Sequence, residues 1–471
     1  MATRTTARSP VLTLLAAYLG LFAGLIDTNA VNLALPAIRA DLGGGVSGVQ
    51  WTTDAYNVTF AAVLLTAGSL GDRIGRRRML RIGLVAFAGT SIACALAPSL
   101  GVLLAARAAQ GVAAAVMLPQ GLAIASAAFP GAKGRARATA AWAATAASSA
   151  ALGPVIGGVL TDTAGWRYIF WLNGPVCLLA LAMSLRYLPE SRSPQPARTD
   201  LRGQGLAVVA LGTLTFVLVE GRTLGTALAV GGAALAVAAF VAFGWSQRRV
   251  PNPMVPPEFF GNRQLTVALA ATFAMTFGTY GMLFVNSLAF QQQRGASALA
   301  TAVAFLPMPL TYLLLIPVVN VIARRTGPLL PMTIGLVGMG AGMVLYAGVG
   351  PDADLMLLQT AFVLAGAGLA FNTGPAVGLA MSAVSSDRAG LASGVVNLAR
   401  LIGVTVGIAV LGSVLALVGG NADHGATFGD GVRAAVLTGG LVEFVGAALV
   451  LWFARTTRRA DAEALKEDCH A

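Results

Sequence analysis

The sequence predicts an all-α membrane protein, a bundle of about fourteen membrane-spanning helices. The chain is 56% hydrophobic and only 11% charged, whereas soluble domains carry roughly 25% charged residues. A membrane helix needs about 20 mostly apolar residues in a row. Such stretches follow one another from residue 11 to residue 454, separated by short charged gaps.

The fourteen spans predicted from this pattern are the apolar stretches between the charged gaps. They cover 11–35, 51–70, 80–97, 101–126, 137–161, 167–187, 203–219, 224–245, 265–290, 298–321, 328–348, 354–378, 388–417 and 432–454. The 57 glycines of the chain fit this interpretation, because small residues let membrane helices pack closely.

Arginine predicts the orientation of the spans. Alternate gaps are rich in arginine, as at Arg76–Arg78, and the gaps between them are not. The positive-inside rule places the arginine-rich gaps in the cytoplasm, and an even number of spans places both termini there. We expect a multi-pass protein of the cell membrane. The same rule explains the formal charge of +12, so no nucleic-acid partner is expected.

An internal repeat indicates two six-helix halves. Gly75, Gly153 and Gly157 recur as Gly327, Gly403 and Gly407 after about 250 residues. Parallel halves with substrate bound between them are a known transporter design. The predicted organisation is a cytoplasmic N-terminus (1–10), an N-terminal half (11–187), a linker with two extra helices (188–263; helices 203–219 and 224–245), a C-terminal half (264–454) and a cytoplasmic tail (455–471).

Five motifs resemble one transporter family. They are GSLGDRIGRRRML (68–80), LLAARAAQGVAAA (103–115), LGPVIGG (152–158), GLIDTNAVNLALP (24–36) and WRYIFWLNGPV (166–176). On these helices, and in their order along the chain, they are similar to the major facilitator superfamily and its fourteen-helix drug:proton antiporters. The second copy of the first motif departs from the pattern, with Arg324 in place of Asp72.

The resemblance implies a proton-coupled antiporter that exports small amphipathic or cationic organic compounds, such as drugs, antibiotics and dyes, by alternating access. It implies no cofactor and no enzymatic activity, since the proton gradient drives transport. The expected partners are the organic substrate, protons and the lipid bilayer, and a monomer is expected.

Ionisable side chains inside a membrane are costly, so each is a candidate functional group. Asp27 in the first span and Arg107 in the fourth lie at similar depth, in the outer half of the bilayer, where they can pair. We predict that they couple transport to protons. A static salt bridge between packed helices is the alternative. Glu443, in the middle of the last span, is a candidate second proton or cation site, although that helix is expected at the periphery.

Other polar residues within the spans are candidates for the substrate cavity. This set is Asp54, Tyr56, Asn57, Asn286, Asn397 and Arg400. Packing is the alternative for the aromatic and amide side chains, and helix carbonyls are the alternative partners of Arg400. Asp54 lies near a helix end, where its side chain can also extend to water.

Two motifs predict conformational elements. The resemblance implies that Asp72 docks on a helix N-terminus of the other half, so the cytoplasmic motif is a latch; its residues are Asp72, Arg73, Gly75, Arg76 and Arg77. The fifth span is predicted to form the helix of the outer gate, through Gly153, Pro154, Gly157 and Gly158. Plain packing is the alternative for these glycines.

Several other functions are disfavoured. The only lysines, Lys133 and Lys466, do not lie in a GxxxxGK[ST] phosphate loop, so no ATP-driven pump is expected. Three scattered cysteines and two histidines offer no metal site. A dedicated exporter of one metabolite (a self-made antibiotic, a lipid or a siderophore) is the alternative within transport. A membrane enzyme or channel would need clustered catalytic groups or a polar helix stripe.

Overall fold

The computed structural model describes residues 9–129, 132–192, 200–221, 224–251, 253–348, 355–384, 389–419 and 426–468. All regular elements in these ranges are helical, which confirms the predicted fold class. Most of the predicted N-terminal segment 1–10 and the end of the tail 455–471 lie outside the described residues.

The helices begin and end close to the predicted spans. Their bounds are α1 Pro10–Leu42, α2 Gly45–Ile74, α3 Arg76–Ala95, α4 Leu100–Ala128, α5 Ala132–Thr163, α6 Arg167–Tyr187, α7 Leu201–Glu220, α8 Thr226–Gln247, α9 Pro257–Gly261, α10 Arg263–Leu288, α11 Ala298–Phe305, α12 Pro307–Thr326, α13 Leu329–Ala347, α14 Leu355–Ser382, α15 Ala389–Gly419 and α16 Ala426–Asp468. A short π-helical segment, Ala289–Gln293, continues α10.

Within the described residues, 13 helical stretches are long and apolar enough to cross a membrane. The chain is therefore a multi-pass membrane protein. The predicted span 51–70 is not among the 13 but lies inside α2, which is 30 residues long. The predicted span 298–321 is divided into α11 and α12. Pro307, which has no backbone N–H to continue the helix, begins α12.

The contacts divide the chain into two units. Unit 1 comprises Met1–Met254 and Asn286–Leu306, and unit 2 comprises Val255–Val285 and Pro307–Ala471. The break between α11 and α12 coincides with this division. The end of α10, its π-helical segment and α11 thus pack with the N-terminal helices rather than with the rest of the C-terminal ones.

The repeated glycines occupy matching positions in the two units. In unit 1, a Cβ at Gly157 of α5 would lie 2.6 Å from the Cα of Ala30 in α1. In unit 2, Gly407 of α15 faces α10 in the same way, with 2.8 Å to the Cα of Phe277. The sequence repeat is therefore a repeat of close helix contacts.

The first extra helix is bound to α2 at both ends within unit 1. Glu220 accepts hydrogen bonds from the Ser47 hydroxyl and from Trp51 Nε1. Nearer the other end of α7, Gln204 Nε2 donates to the Ala62 carbonyl at 2.7 Å. These polar contacts fix α7 along α2, because a buried amide or carboxylate needs such partners in an apolar medium.

The close contact between α3 and α4 predicts the effect of one substitution. A Cβ at Gly83 would lie 2.8 Å from the Met117 backbone, whereas Gly89, on the same helix, has no atom within 4 Å of its Cβ position. We expect Gly83→Val to cost about 1–3 kcal/mol through overpacking and Gly89→Val to cost little. Apparent melting temperatures of the purified variants in detergent measure this, and equal values would contradict the close contact.

Candidate functional site

The centre of unit 1 holds a fully buried ion pair. Arg107 Nη1 lies 2.6 Å from Asp27 Oδ2, and neither side chain is exposed. Arg107 Nε donates to the Thr52 carbonyl at 2.9 Å, and Nη1 also contacts Gln110 Oε1 at 2.7 Å. The guanidinium lies 4.4 Å from the ring centroid of Tyr56. The predicted pairing of Asp27 with Arg107 is confirmed.

Neutral amides bind the second oxygen of Asp27. Asn173 Nδ2 donates to Asp27 Oδ1 at 2.7 Å and Gln110 Nε2 donates to it at 3.1 Å. Both amides also donate to the Ser91 hydroxyl, which donates in turn to the Phe170 carbonyl at 3.1 Å. Side chains from α1, α3, α4 and α6 and a backbone carbonyl of α2 thus meet around one charge pair.

Sequence reasoning missed the amide and hydroxyl members of this network. Gln110 could have been found, because it follows Arg107 by one helical turn and is polar within an apolar span. Asn173 and Ser91 lie on other helices. Nothing in their local sequence says that they face Asp27.

Asp54 in α2 is buried and differs from Asp27 in having no partner. Neither carboxylate oxygen accepts a hydrogen bond from any described residue. The Thr53 hydroxyl and the Asn57 amide nitrogen nearby are also buried and unpaired within the described chain. Buried polar groups are usually hydrogen-bonded, so this stretch of α2 is unusual and is a candidate binding surface.

The remaining predicted cavity residues fall in both units. Asn286, in unit 1, is fully buried, and both polar atoms of its amide lack partners among the described residues. In unit 2, Asn397 Nδ2 donates to Ser393 in its own helix at 3.1 Å. The backbone oxygen of Arg400 accepts from Thr276 Oγ1 at 3.0 Å, and its Nε is buried without a partner in the described structure. Their predicted role in substrate binding stays a prediction.

The cytoplasmic motif forms a turn held by an acidic residue that sequence reasoning missed. Gly75 has φ 121°, a conformation that only glycine adopts easily. Glu190, after α6, accepts from Arg77 N at 3.0 Å and thereby caps α3. A side chain at Gly75 would collide with the Glu190 carboxylate, since a Cβ would lie 2.9 Å from Oε1.

Asp72 pairs within the motif. Its Oδ1 lies 2.7 Å from Nη2 of Arg76, one turn along the chain. The predicted docking of Asp72 on a helix N-terminus of the other half stays a prediction.

The glycines of α5 form close contacts in the C-terminal half of that helix, within unit 1. A Cβ at Gly153 would lie 2.7 Å from the Asn29 Cβ, and a Cβ at Gly158 would lie 2.7 Å from the Leu299 Cα of α11. Pro154 lies between them in a helix that continues on both sides. The α5 helix therefore packs on α1 through one glycine and on α11 through another.

Hydrogen bonds accompany these contacts. The Asp162 carboxylate accepts from the backbone N–H groups of Ala298 and Leu299 at 3.1 and 2.9 Å, capping the N-terminus of α11. Ser287 Oγ donates to the Asn32 carbonyl at 2.7 Å. Gln291, in the π-helical segment, donates to the Leu33 carbonyl at 2.9 Å. We call this set of contacts of α1 and α5 with residues 286–306 the outer contact.

Unit 2 contains one further buried acid of interest. Glu443 of α16 is fully buried, and neither of its carboxylate oxygens has a hydrogen-bond partner among the described residues. It faces Gly278 of α10, where a Cβ would lie 3.0 Å from Glu443 Cδ. No cluster of three or more potential metal ligands occurs in the described ranges.

Comparisons with known proteins agree with the fold and the motifs. A model of the Major Facilitator Superfamily matches residues 17–408. The chain is 38% identical over 414 residues to the multidrug resistance protein Stp of Mycobacterium tuberculosis, covering 87% of this chain and 76% of that protein. It is 34% identical over 431 residues to the methylenomycin A resistance protein of Streptomyces coelicolor, covering 90% and 89%.

A solved structure shares the fold. A POT family transporter in complex with 5-aminolevulinic acid superposes with a TM-score of 0.72 over 97% of this chain and 98% of that one. The sequences are 15% identical, so the similarity concerns the fold alone.

The buried pair predicts a strong coupling between its two members. Arg107→Gln leaves the Asp27 charge without a counter-ion, and we expect it to cost about 3–5 kcal/mol. In an Asp27→Asn background the same change should cost much less. The exposed pair Asp41–Arg167 is the matched control, because surface ion pairs contribute about 0–1 kcal/mol. Apparent melting temperatures of all variants measure the coupling, which is refuted if the cost of Arg107→Gln is the same in both backgrounds.

Proposed function

Because the chain belongs to the Major Facilitator Superfamily, we propose that it is a proton-coupled antiporter that exports small amphipathic or cationic organic compounds. Drugs, antibiotics and dyes are the proposed substrates. The names of its relatives, a multidrug resistance protein and a methylenomycin A resistance protein, support export of toxic compounds. We place the protein in the cell membrane, as a monomer with both termini in the cytoplasm and with no cofactor besides the proton gradient.

The observation that carries this proposal is the presence of buried carboxylates inside membrane spans. An unpaired ionised carboxylate costs many kcal/mol in an apolar medium, so such a group holds a proton until water or a cation reaches it. Asp54 is fully buried and has no donor in the described chain. A group of this kind binds a proton in one conformation and releases it in another.

Asp27 contributes to coupling in a different way in this proposal. Its charge is balanced by Arg107 and held by two amides. Proton uptake by Asp27 would break the ion pair and release the guanidinium toward Gln110 Oε1 and the Thr52 carbonyl, which it already contacts. Two carboxylates of one unit thus respond differently to the same proton gradient.

The outer contact supports a gate for alternating access. Its hydrogen bonds and glycine contacts join α1 and α5 to residues 286–306. By the positive-inside rule this end of the helices faces outward. We assign the outer contact to the closed outer gate, which separates when substrate leaves.

A second candidate function is the export of one compound only. The methylenomycin A resistance protein is named for a single antibiotic, and it covers 90% of this chain. Competition between a transported dye and unrelated dyes separates the two functions, because a broad exporter is inhibited by many of them.

The proton-coupling proposal predicts that purified protein in ATP-free liposomes transports ethidium when a pH gradient is imposed, and that an uncoupler abolishes transport. Asp54→Asn and Asp27→Asn should each lower the gradient-driven rate about a hundredfold or more, the usual scale for loss of a proton-transfer group. Asp41→Asn is the matched control, because that carboxylate is 44% exposed, and it should transport normally. Transport that persists without a gradient contradicts proton coupling. Normal transport by both buried-site variants contradicts the assignment of the sites.

The gate proposal predicts that Asp162→Ala opens the outer side more often. The change removes the cap on α11, which is worth about 1 kcal/mol, a roughly fivefold shift in population. An Asn32→Cys reporter in a background without the native cysteines should then react several times faster with an impermeant maleimide. Thr163→Ala is the control, since Thr163 bonds only its own helix at Val159. Unchanged labelling in the Asp162 variant would refute the gate.

A further inference from the structure

Glu443 lies near the middle of the last membrane span, in the stretch Thr427–Thr456. Its side chain is fully buried in unit 2. The α16 helix packs against α13 and α15, and its glycines and Glu443 also contact α10. An acid that contacts lipid would be exposed in this structure. Glu443 is not exposed, so its side chain does not face lipid.

The surroundings of Glu443 are apolar. One turn further along α16, a Cβ at Gly446 would meet Ala274 Cβ at 2.9 Å and Leu336 Cδ1 at 3.5 Å. One turn before it, a Cβ at Gly440 would meet the Gly340 carbonyl oxygen at 3.2 Å and Met343 Cβ at 3.5 Å. Gly278 lies opposite the carboxylate. Because glycine has no side chain, Glu443 occupies the space that a Cβ at position 278 would fill.

No described charge compensates this carboxylate. The titratable or charged side chains on the three helices packed against α16 are Arg263 and Tyr280 on α10, Tyr346 on α13 and Arg400 on α15. None of them donates to either oxygen of Glu443. A group that served packing alone would be better replaced by an apolar side chain of the same volume, because an unsatisfied buried acid lowers stability.

We infer that Glu443, enclosed against Gly278, is a further proton-binding site of the transporter, located in unit 2 and separate from Asp27 and Asp54 of unit 1. The inference rests on the proposed proton-coupled function, and it concerns how many protons are exchanged in each transport cycle. Glu443 is protonated while α10 covers it, and it ionises when α10 moves away from α16 and water enters between them.

The position of Gly278 links this site to the outer contact. The same helix, α10, continues from Gly278 to Ser287, about 14 Å further along at 1.5 Å per residue. Ser287 bonds the Asn32 carbonyl within the outer contact. A displacement of α10 that uncovers Glu443 therefore acts on the helix that carries one of the gate's hydrogen bonds.

Charge counting tests the inference, with ethidium as a substrate of one positive charge. Each proton that enters beyond the first per ethidium exported moves one net charge per cycle. A potential of 100 mV, negative in the compartment into which protons flow, multiplies the ethidium accumulation ratio by about 50 for each such charge. Glu443→Gln removes one proton from the cycle. The variant should still respond to a pH gradient, but a potential of 100 mV set with potassium and valinomycin should raise its accumulation ratio about 50-fold less than in the wild type.

Three controls keep the outcomes distinct. Asp430→Asn lies on the same helix at an exposed position and should keep the response to potential, and Glu443→Asp should keep it as well.

If Glu443→Gln does not transport, ethidium binding in detergent should release about one proton fewer than in the wild type. A Gln variant with wild-type potential dependence or wild-type proton release overturns the Glu443 site, as does a wild type that transports ethidium without any response to potential. A wild type that shows no gradient-driven transport refutes the proposed function instead.

Discussion

The paired burial of Asp27 and Arg107 is the interaction on which unit 1 depends. Hydrocarbon cannot solvate either charge, so the protein must supply every partner. It supplies Asn173, Gln110 and the Thr52 carbonyl, which come from three different helices, and leaves Arg107 Nη2 without a hydrogen-bond partner among the described residues. The pair therefore fixes how these helices face one another. Displacing any one of these helices leaves a buried polar atom without its hydrogen-bond partner.

Such a network requires backbones that approach closely, and glycine provides the approach. Gly111, one residue after Gln110, lies against the carbonyl of Tyr56, so α4 and α2 touch beside the ion pair. Gly121, further along α4, lies against the carbonyl of Ala17 in α1. Glycines of α4 that face α2 and α1 thus bring both partner helices within the reach of Arg107. The buried ion pair and the close glycine contacts of unit 1 therefore depend on each other.

The sequence alone was sufficient to predict the helices and the ion pair, and the reasons are physical. An apolar stretch of about 20 residues rarely forms anything other than a membrane helix. Two opposite charges buried at the same depth have few other groups with which to pair. Asn173 and Ser91 could not be predicted, because helix facing is decided by packing between distant segments. Glu190 was missed for the same reason, since its partner at Arg77 is far away in the chain.

The buried carboxylates of this chain divide into two kinds, and the division suggests how a transporter combines stability with movement. Asp27 is fully satisfied, so it favours one arrangement of its helices. Asp54 and Glu443 have no described partner, so nothing electrostatic holds their surroundings in place. Each is tolerated only while it is neutral. Proton loss then makes the closed packing around it unfavourable, and the surrounding helices must separate to admit water. In the proposed function, unpaired acids thus convert a proton gradient into a change of packing, whereas the paired acid converts it into a change of partners for Arg107.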